Sequence, residues 1–171
     1  MKLKYHYPHP MVGLTVDIIL FADIDKVPCF LAIKRKNEPY KNKYAFPGGF
    51  VEPNEEITDA AYRELEEETS LTRDTIGADL QKLNPFTAPG RDPRGRTISF
   101  PHYGICIAPE SAKAGDDAKS LKWVPMTPEN RDKLAFDHSR MLVEAYSTLM
   151  IAVLKDSLPK NGFPTMLDFI K

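Results

Sequence analysis

The sequence predicts a mixed α/β sandwich. Two observations carry this reading: β-branched, apolar runs dominate the first two thirds of the chain, and apolar residues at helical spacing occur at only two places. Helices alternating with strands throughout would have favoured a doubly wound parallel fold instead. Residues 15–21 (TVDIILF) read as a buried strand, and residues 29–34 as its hairpin partner across the turn-forming DIDKVP segment. Residues 44–46 form a short strand stopped by Pro47-Gly48-Gly49. Residues 57–69, rich in Ala, Leu and Glu, make the strongest helix. Residues 80–86 and 97–108 read as longer strands, and residues 121–124 as a short one. Residues 139–155 form the second helix, with Met141, Leu142, Ala145, Leu149 and Val153 at helical spacing. Pro159 ends it and leaves a short tail that still carries apolar residues.

A chain of 171 residues is expected to be one domain, with a core over residues 11–155 and a tail over 156–171. At this size a chain buries roughly 70% of its unfolded surface, enough for a true core. With 42% hydrophobic and 27% charged residues, the composition excludes an intrinsically disordered chain. The formal net charge of −1 argues against a nucleic-acid partner. The N-terminus lacks the apolar stretch of a secretory signal, and no run approaches the ~20 apolar residues of a membrane span. Cys29 and Cys106 each sit in an apolar run, so they are expected to be buried and unpaired. A reducing cytoplasm is the expected location.

Charge is concentrated on the first helix. Between Gly49 and Ser70 stand eight acids (Glu52, Glu55, Glu56, Asp59, Glu64, Glu66, Glu67 and Glu68) and one base, Arg63. The rest of the chain then holds 22 basic and 16 acidic residues. At 100° per residue, Glu64, Glu67 and Glu68 share one arc, while Ala61, Leu65 and Thr69 share the adjacent one and can pack on the sheet. Like charges at this spacing repel, and no lysine stands at i,i+4 to offset them. A divalent cation would, and hard oxygen ligands suit Mg²⁺ or Mn²⁺. Without further context the bland alternative, a solvated acidic helix face, would be favoured; the preceding Pro-Gly-Gly turn, whose carbonyls can add a ligand, tips the balance.

Gly49, then Glu55, then Arg63-Glu64-Leu65-Glu66-Glu67-Glu68-Thr69-Ser70-Leu71 resembles the Nudix box. The agreement fails at one defining position, Ser70, where the family carries a helix-terminating Gly in a left-handed conformation. The resemblance implies the Nudix α/β/α sandwich with a mixed sheet, and metal-dependent hydrolysis of a nucleoside diphosphate linked to another group X. It makes Glu67 and Glu68 metal ligands, Glu64 a ligand or base, and Gly48 or Gly49 a carbonyl donor. It has Arg63 orient the glutamates together with Glu55. Asp116 and Asp117 are candidates for a catalytic base from a loop, with a turn role at least as well supported.

Arg91-Asp92-Pro93-Arg94-Gly95-Arg96, preceded by Phe86-Thr87-Ala88-Pro89-Gly90, is the second motif. Arginines grip phosphate through paired donors. The segment resembles the RDPRGR loop of ADP-ribose pyrophosphatases in the NAD-linked Nudix branch, and Pro85, Tyr44–Gly49, Leu134–His138 and Trp123 agree with it. That resemblance implies ADP-ribose as substrate and AMP and ribose 5-phosphate as products; Arg91, Arg94 and Thr87 are the candidate substrate contacts, Arg96, nearest the following strand, is expected to be structural, and Phe46 could stack on adenine although aromatic residues beside strands are more often core. Asp137, ahead of the second helix, reads as an N-cap or packing contact. The relatives are commonly symmetric homodimers, which is the expectation here. Two alternatives stand beside the enzyme. One is an ADP-ribose-sensing regulator, disfavoured because the chain ends about sixteen residues after its last helix, with no length for a winged helix. The other is a hydrolase of non-canonical nucleoside triphosphates, which has no need of the arginine loop.

Overall fold

A computed structural model describes residues 11–115 and 118–155 of the chain. The strands are β1 (Gly13–Ile24), β2 (Val27–Arg35), β3 (Tyr44–Ala45), β4 (Gln81–Lys82), β5 (Thr97–Ile105) and β6 (Ala118–Pro125). The helices are α1 (Ile57–Thr69), α2 (Pro128–Arg131) and α3 (His138–Leu154), with short 3₁₀ turns at Arg73–Thr75 and Pro109–Ser111. The sheet runs β3-β2-β1-β5-β4, with β6 also pairing β2. β1 and β2 are antiparallel, whereas β1 and β5 are parallel and in continuous register from Gly13↔Thr97 to Phe21↔Ile105. The sheet is therefore mixed, as expected.

Period-two alternation along β1 sorts the core into two layers. Val16, Ile18 and Leu20 pack with Ala60, Ala61 and Leu65 of α1. Ile19 and Phe21 pack with Met141, Leu142, Ala145 and Leu149 of α3. The apolar stripes read from both helices thus cover opposite faces of one sheet. The hairpin turns at Asp25 and Lys26, both with positive φ (52° and 67°), the geometry that a two-residue turn between twisted strands requires.

Residues 80–86 do not form a long strand. Pairing is regular only at Gln81–Lys82, with an isolated bridge at Phe86↔Ser99, because Pro85 has no N–H for the ladder. β5 ends at Ile105 rather than residue 108, β6 extends beyond the expected 121–124, and α3 starts one residue earlier than expected. Among the described residues, no helix is long and apolar enough to cross a membrane. Asp116, Asp117 and the tail from residue 156 lie outside the described residues.

β1 and β2 pair only near their hairpin, from Phe21↔Phe30 to Ile24↔Val27. Farther along, the chain after β3 wedges between them. Ile18 N–H donates to Pro47 O (2.8 Å), Val16 N–H to Gly49 O (2.9 Å), and Val51 N–H to Leu14 O (3.0 Å). This wedge presses the Pro-Gly-Gly turn against the acidic helix.

Candidate active site

The turn meets α1 at contact distance. A Cβ on Gly49 would stand 2.2 Å from Glu64 Oε1, and one on Gly48 would stand 2.1 Å from the Val16 carbonyl oxygen. Space therefore dictates Gly48, whose neighbour is backbone, while a side chain at Gly49 would displace the Glu64 carboxylate. Gly48 N–H donates to Glu68 Oε2 (2.9 Å), which fixes that carboxylate at the turn. Pro47 O and Gly49 O are consumed by β1, so of the turn's carbonyls only that of Gly48 lacks a main-chain partner among the described residues. Gly48 is thereby the carbonyl of the turn with both lone pairs open to a ligand from the main-chain side, whereas Gly49 has one engaged by β1.

Arg63 organises the acids around it. Its Nε donates to Glu55 Oε2 (3.0 Å) and its Nη2 to Glu55 Oε1 (2.6 Å). Its Nη1 donates to Glu64 Oε1 (2.8 Å) and Glu67 Oε2 (3.1 Å), and Nη2 also reaches Phe50 O (3.1 Å). The Arg63 fork, helped by the Glu52 amide, pulls the Glu55 carboxyl down to about 2. Glu64 moves the other way: burial raises it despite Arg63, and Glu67 and Glu55 add to the rise. Three carboxylates crowd one guanidinium, and the most buried of them disfavours its charge. That is the donor chemistry of a hard divalent cation. Among the described residues no three acidic, histidine or cysteine side chains form a ready-made metal cluster. Glu67, 59% exposed, has the freedom to turn toward its neighbours.

Ser70 adopts the left-handed conformation expected at the box glycine (φ 58°, ψ 12°). The helix end is secured from outside: Lys113 N–H donates to Thr69 O (2.8 Å) and Gly115 N–H to Glu68 O (2.9 Å). These bonds satisfy carbonyls that a helix C-terminus otherwise leaves open, and help to hold a non-glycine residue there.

Glu68 lines one cleft together with the glycine turn, Arg35, Phe50, Arg94 and Phe136. Arg94 is 46% exposed and held by Asp92: Nε lies 3.0 Å from Oδ1 and Nη2 2.7 Å from Oδ2, while the Arg94 main-chain N–H also donates to Oδ1 (2.9 Å). Its guanidinium stands 5.6 Å from the Phe50 ring centre and 5.8 Å from that of Phe136. Arg35 lies over Phe136 at 4.8 Å and donates through Nε to Pro39 O (2.8 Å). Burial lowers the Arg35 pKa and the Arg94 charge lowers it further. Two guanidiniums that repel each other in one cleft have the donor chemistry for an anion, whose charge would remove the repulsion.

The cleft also corrects the expectations for substrate contacts. Phe46 is a core residue, 2% exposed, edge-on to Phe30 and stacked on His138, so its ring is not free to stack on a base. Arg91, which also lines the cleft, is tied into the protein as well as Arg96: its side chain is 5% exposed, and it donates to Asp137 through Nε (3.0 Å) and Nη2 (2.7 Å). Asp137 stands at the N-cap of α3 without capping it; its carboxylate is the partner of Arg91. Thr87 is exposed, outside the cleft lining, and offers its carbonyl to Arg96 Nη1 (2.7 Å).

Sequence reasoning missed the base of the cleft. Asp17 accepts a short hydrogen bond from Ser99 Oγ, and lies 3.3 Å from His138 Nε2 and 3.9 Å from Arg91. Burial would raise its carboxyl, but His138, Ser99 and Arg91 outweigh burial and hold it below the usual range. The one visible signal is a lone acid in the apolar run of β1.

A NUDIX domain matches residues 11–144. An ADP-ribose pyrophosphatase of Methanocaldococcus jannaschii is 43% identical over 140 residues, which cover 81% of this chain and 75% of that protein. The ADPR responsive transcriptional repressor NtrR of Acinetobacter baylyi is 29% identical over 165 residues, 95% of this chain but 64% of that protein. Among solved structures, a MutT/nudix family protein from Enterococcus faecalis has a TM-score of 0.74 at 26% identity, over 98% of this chain and 70% of that one.

Proposed function

Because the chain belongs to the NUDIX family, we propose that it is a pyrophosphohydrolase that cleaves ADP-ribose to AMP and ribose 5-phosphate with the help of Mg²⁺ or Mn²⁺. The observation that carries this reading is that one cleft is lined by Glu68 of α1, held there by the glycine turn, and by Arg35 and Arg94. Similarity to an ADP-ribose pyrophosphatase supports the choice of X.

Arg94, preset by Asp92, and Arg35 hold the diphosphate oxygens. Phe50, half exposed, and Phe136 offer ring faces beside the guanidiniums to a base or ribose. Glu67 and Glu68, with Glu64 and the Gly48 carbonyl, are the groups to hold the cation. When bound, a divalent ion supplies charge neutralisation of the diphosphate and acidification of water. Arg63 keeps the carboxylates apart and aligned, and Gly48 N–H keeps Glu68 facing the cleft. Glu64, with its raised pKa, is suited to hold a proton at its carboxylate or to release one.

Residues 11–155 are taken as the catalytic unit, working as a symmetric homodimer in the cytoplasm. Exposed Val143 and Ile151 on α3 support the dimer, and the free, buried thiols of Cys29 and Cys106 suit a reducing compartment. A monomer mass by light scattering at micromolar concentration removes the dimer. The enzymatic reading is tested by initial rates on ADP-ribose, NADH, diadenosine polyphosphates and nucleoside triphosphates. Preference for ADP-ribose supports it. Preference for triphosphates replaces the substrate, and tight ADP-ribose binding without turnover makes the protein a sensor.

A further inference from the structure

The cleft has two walls, which reach it from distant parts of the chain. One is the glycine turn that holds Glu68, and the other is the arginine loop that holds Arg94. Both are tied to one buried carboxylate, Asp17. On the first side, the His138 ring, 3% exposed, accepts a hydrogen bond at Nδ1 from Phe46 N–H (3.0 Å) and places Nε2 3.3 Å from Asp17. An imidazole that accepts at Nδ1 carries its proton at Nε2, directed at the carboxylate. Phe46 directly precedes the Pro47-Gly48-Gly49 turn, whose Gly48 N–H grips Glu68. On the second side, Arg91 lies 3.9 Å from Asp17 and directly precedes Asp92, the clasp of Arg94. Ser99 on β5 anchors the carboxylate from a third direction.

We propose that Asp17 is a positioning residue for hydrolysis, which sets the spacing between Glu68 and Arg94 by holding the His138–Phe46 turn and the Arg91–Asp92 loop to one point of β1. It touches no reacting atom. It acts by fixing where the two walls stand, and misplacement of catalytic groups by about 1 Å can cost on the order of 100-fold in rate. This inference rests on the hydrolytic reading above.

The test is Asp17→Asn, beside the milder Ser99→Ala. Asp17 and Asp137 set two negative charges against the single positive charge of Arg91, so the Asn variant leaves that group neutral rather than stranding a charge. Circular dichroism and thermal melting establish the fold, and steady-state kinetics on ADP-ribose with Mg²⁺ give kcat and KM separately. The expected result is a native spectrum with kcat/KM at least tenfold lower for Asp17→Asn, KM and kcat both contributing because both walls move. Ser99→Ala is expected to lose about three- to tenfold in the same sense. A folded Asp17→Asn with kcat/KM within twofold of wild type overturns the inference. If that variant does not fold, a Ser99→Ala enzyme with wild-type constants overturns it and one with the expected loss supports it. A wild-type protein without turnover of ADP-ribose refutes the hydrolytic reading instead, so the two failures are distinguishable.

Discussion

Arg91 and Arg94 look equivalent in the RDPRGR motif, yet the structure predicts different consequences for their removal, since the Arg91 side chain is buried and that of Arg94 is half exposed. Arg91→Ala withdraws both donors from Asp137 and leaves that carboxylate and Asp17 facing each other, each 13% exposed, without their shared cation. Breaking a buried ion pair from one side costs about 3–5 kcal/mol, and the lower figure applies because Asp17 keeps Ser99 and His138. For 171 residues at about 2.1 cal/mol/K each, the unfolding entropy is roughly 0.36 kcal/mol/K, so about 3 kcal/mol lowers Tm by about 8 °C. Thermal unfolding followed by circular dichroism reads this directly. Adding Asp137→Ala to Arg91→Ala should recover part of the loss, since it removes one of the stranded carboxylates. A Tm within 2 °C of wild type for Arg91→Ala, together with a KM raised as much as in Arg94→Ala, refutes the reasoning and returns Arg91 to the substrate.

Arg94→Ala should raise KM for ADP-ribose about tenfold, the low end for a charge-assisted contact because Asp92 already engages part of the fork, and should also lower Tm by a few degrees because it leaves the buried Asp92 carboxylate with the main-chain N–H of residue 94 but no cation; steady-state kinetics and thermal unfolding check it. Glu68→Gln keeps an acceptor for Gly48 N–H, so it should fold normally yet lose at least ~100-fold in kcat with Mg²⁺, and full activity removes the site assignment. Gly48→Ala drives a Cβ into the Val16 carbonyl and should unfold or strongly destabilise the protein; a wild-type urea midpoint contradicts the wedge geometry. Glu55, held near 2 by Arg63, contributes stability that is fully present above its ordinary value of 4.5 and is lost as pH falls toward 2. The urea midpoints of wild type and Glu55→Gln should therefore differ at neutral pH and draw together as pH falls from 4.5 through about 2, and a constant difference refutes that link.

Local and periodic features are legible in the sequence. The register of α1, with Ala61, Leu65 and Thr69 inward and the glutamates outward, follows from 3.6-residue spacing, and the left-handed Ser70 follows from its place at the helix end. What spacing does not encode is which of several similar side chains faces solvent. Arg91, Arg94 and Arg96 are neighbours along the chain, but Arg91 turns in to Asp137, Arg94 turns to the cleft and Arg96 closes a surface bond to Thr87. Phe46 beside the glycine turn could stack on a base by its place in the chain; long-range packing with Phe30 and His138 buries it at the edge of the cleft, where Phe50 and Phe136 are the more exposed rings. The Asp17–His138–Arg91 junction joins residues up to 121 positions apart, and only Asp17, a charge within an apolar strand, gives a local sign of it.

If the acidic face of α1 with its glycine turn and the two arginines of the cleft form one hydrolytic site for ADP-ribose, a single reaction of the full chain with ADP-ribose, followed by phosphorus NMR with Mg²⁺ and then with excess EDTA, will show it. AMP and ribose 5-phosphate should appear in equal amounts, with turnover stopping when the metal is chelated. Turnover that is indifferent to EDTA, or an ADP-ribose signal that persists while a nucleoside triphosphate is consumed under the same conditions, contradicts it.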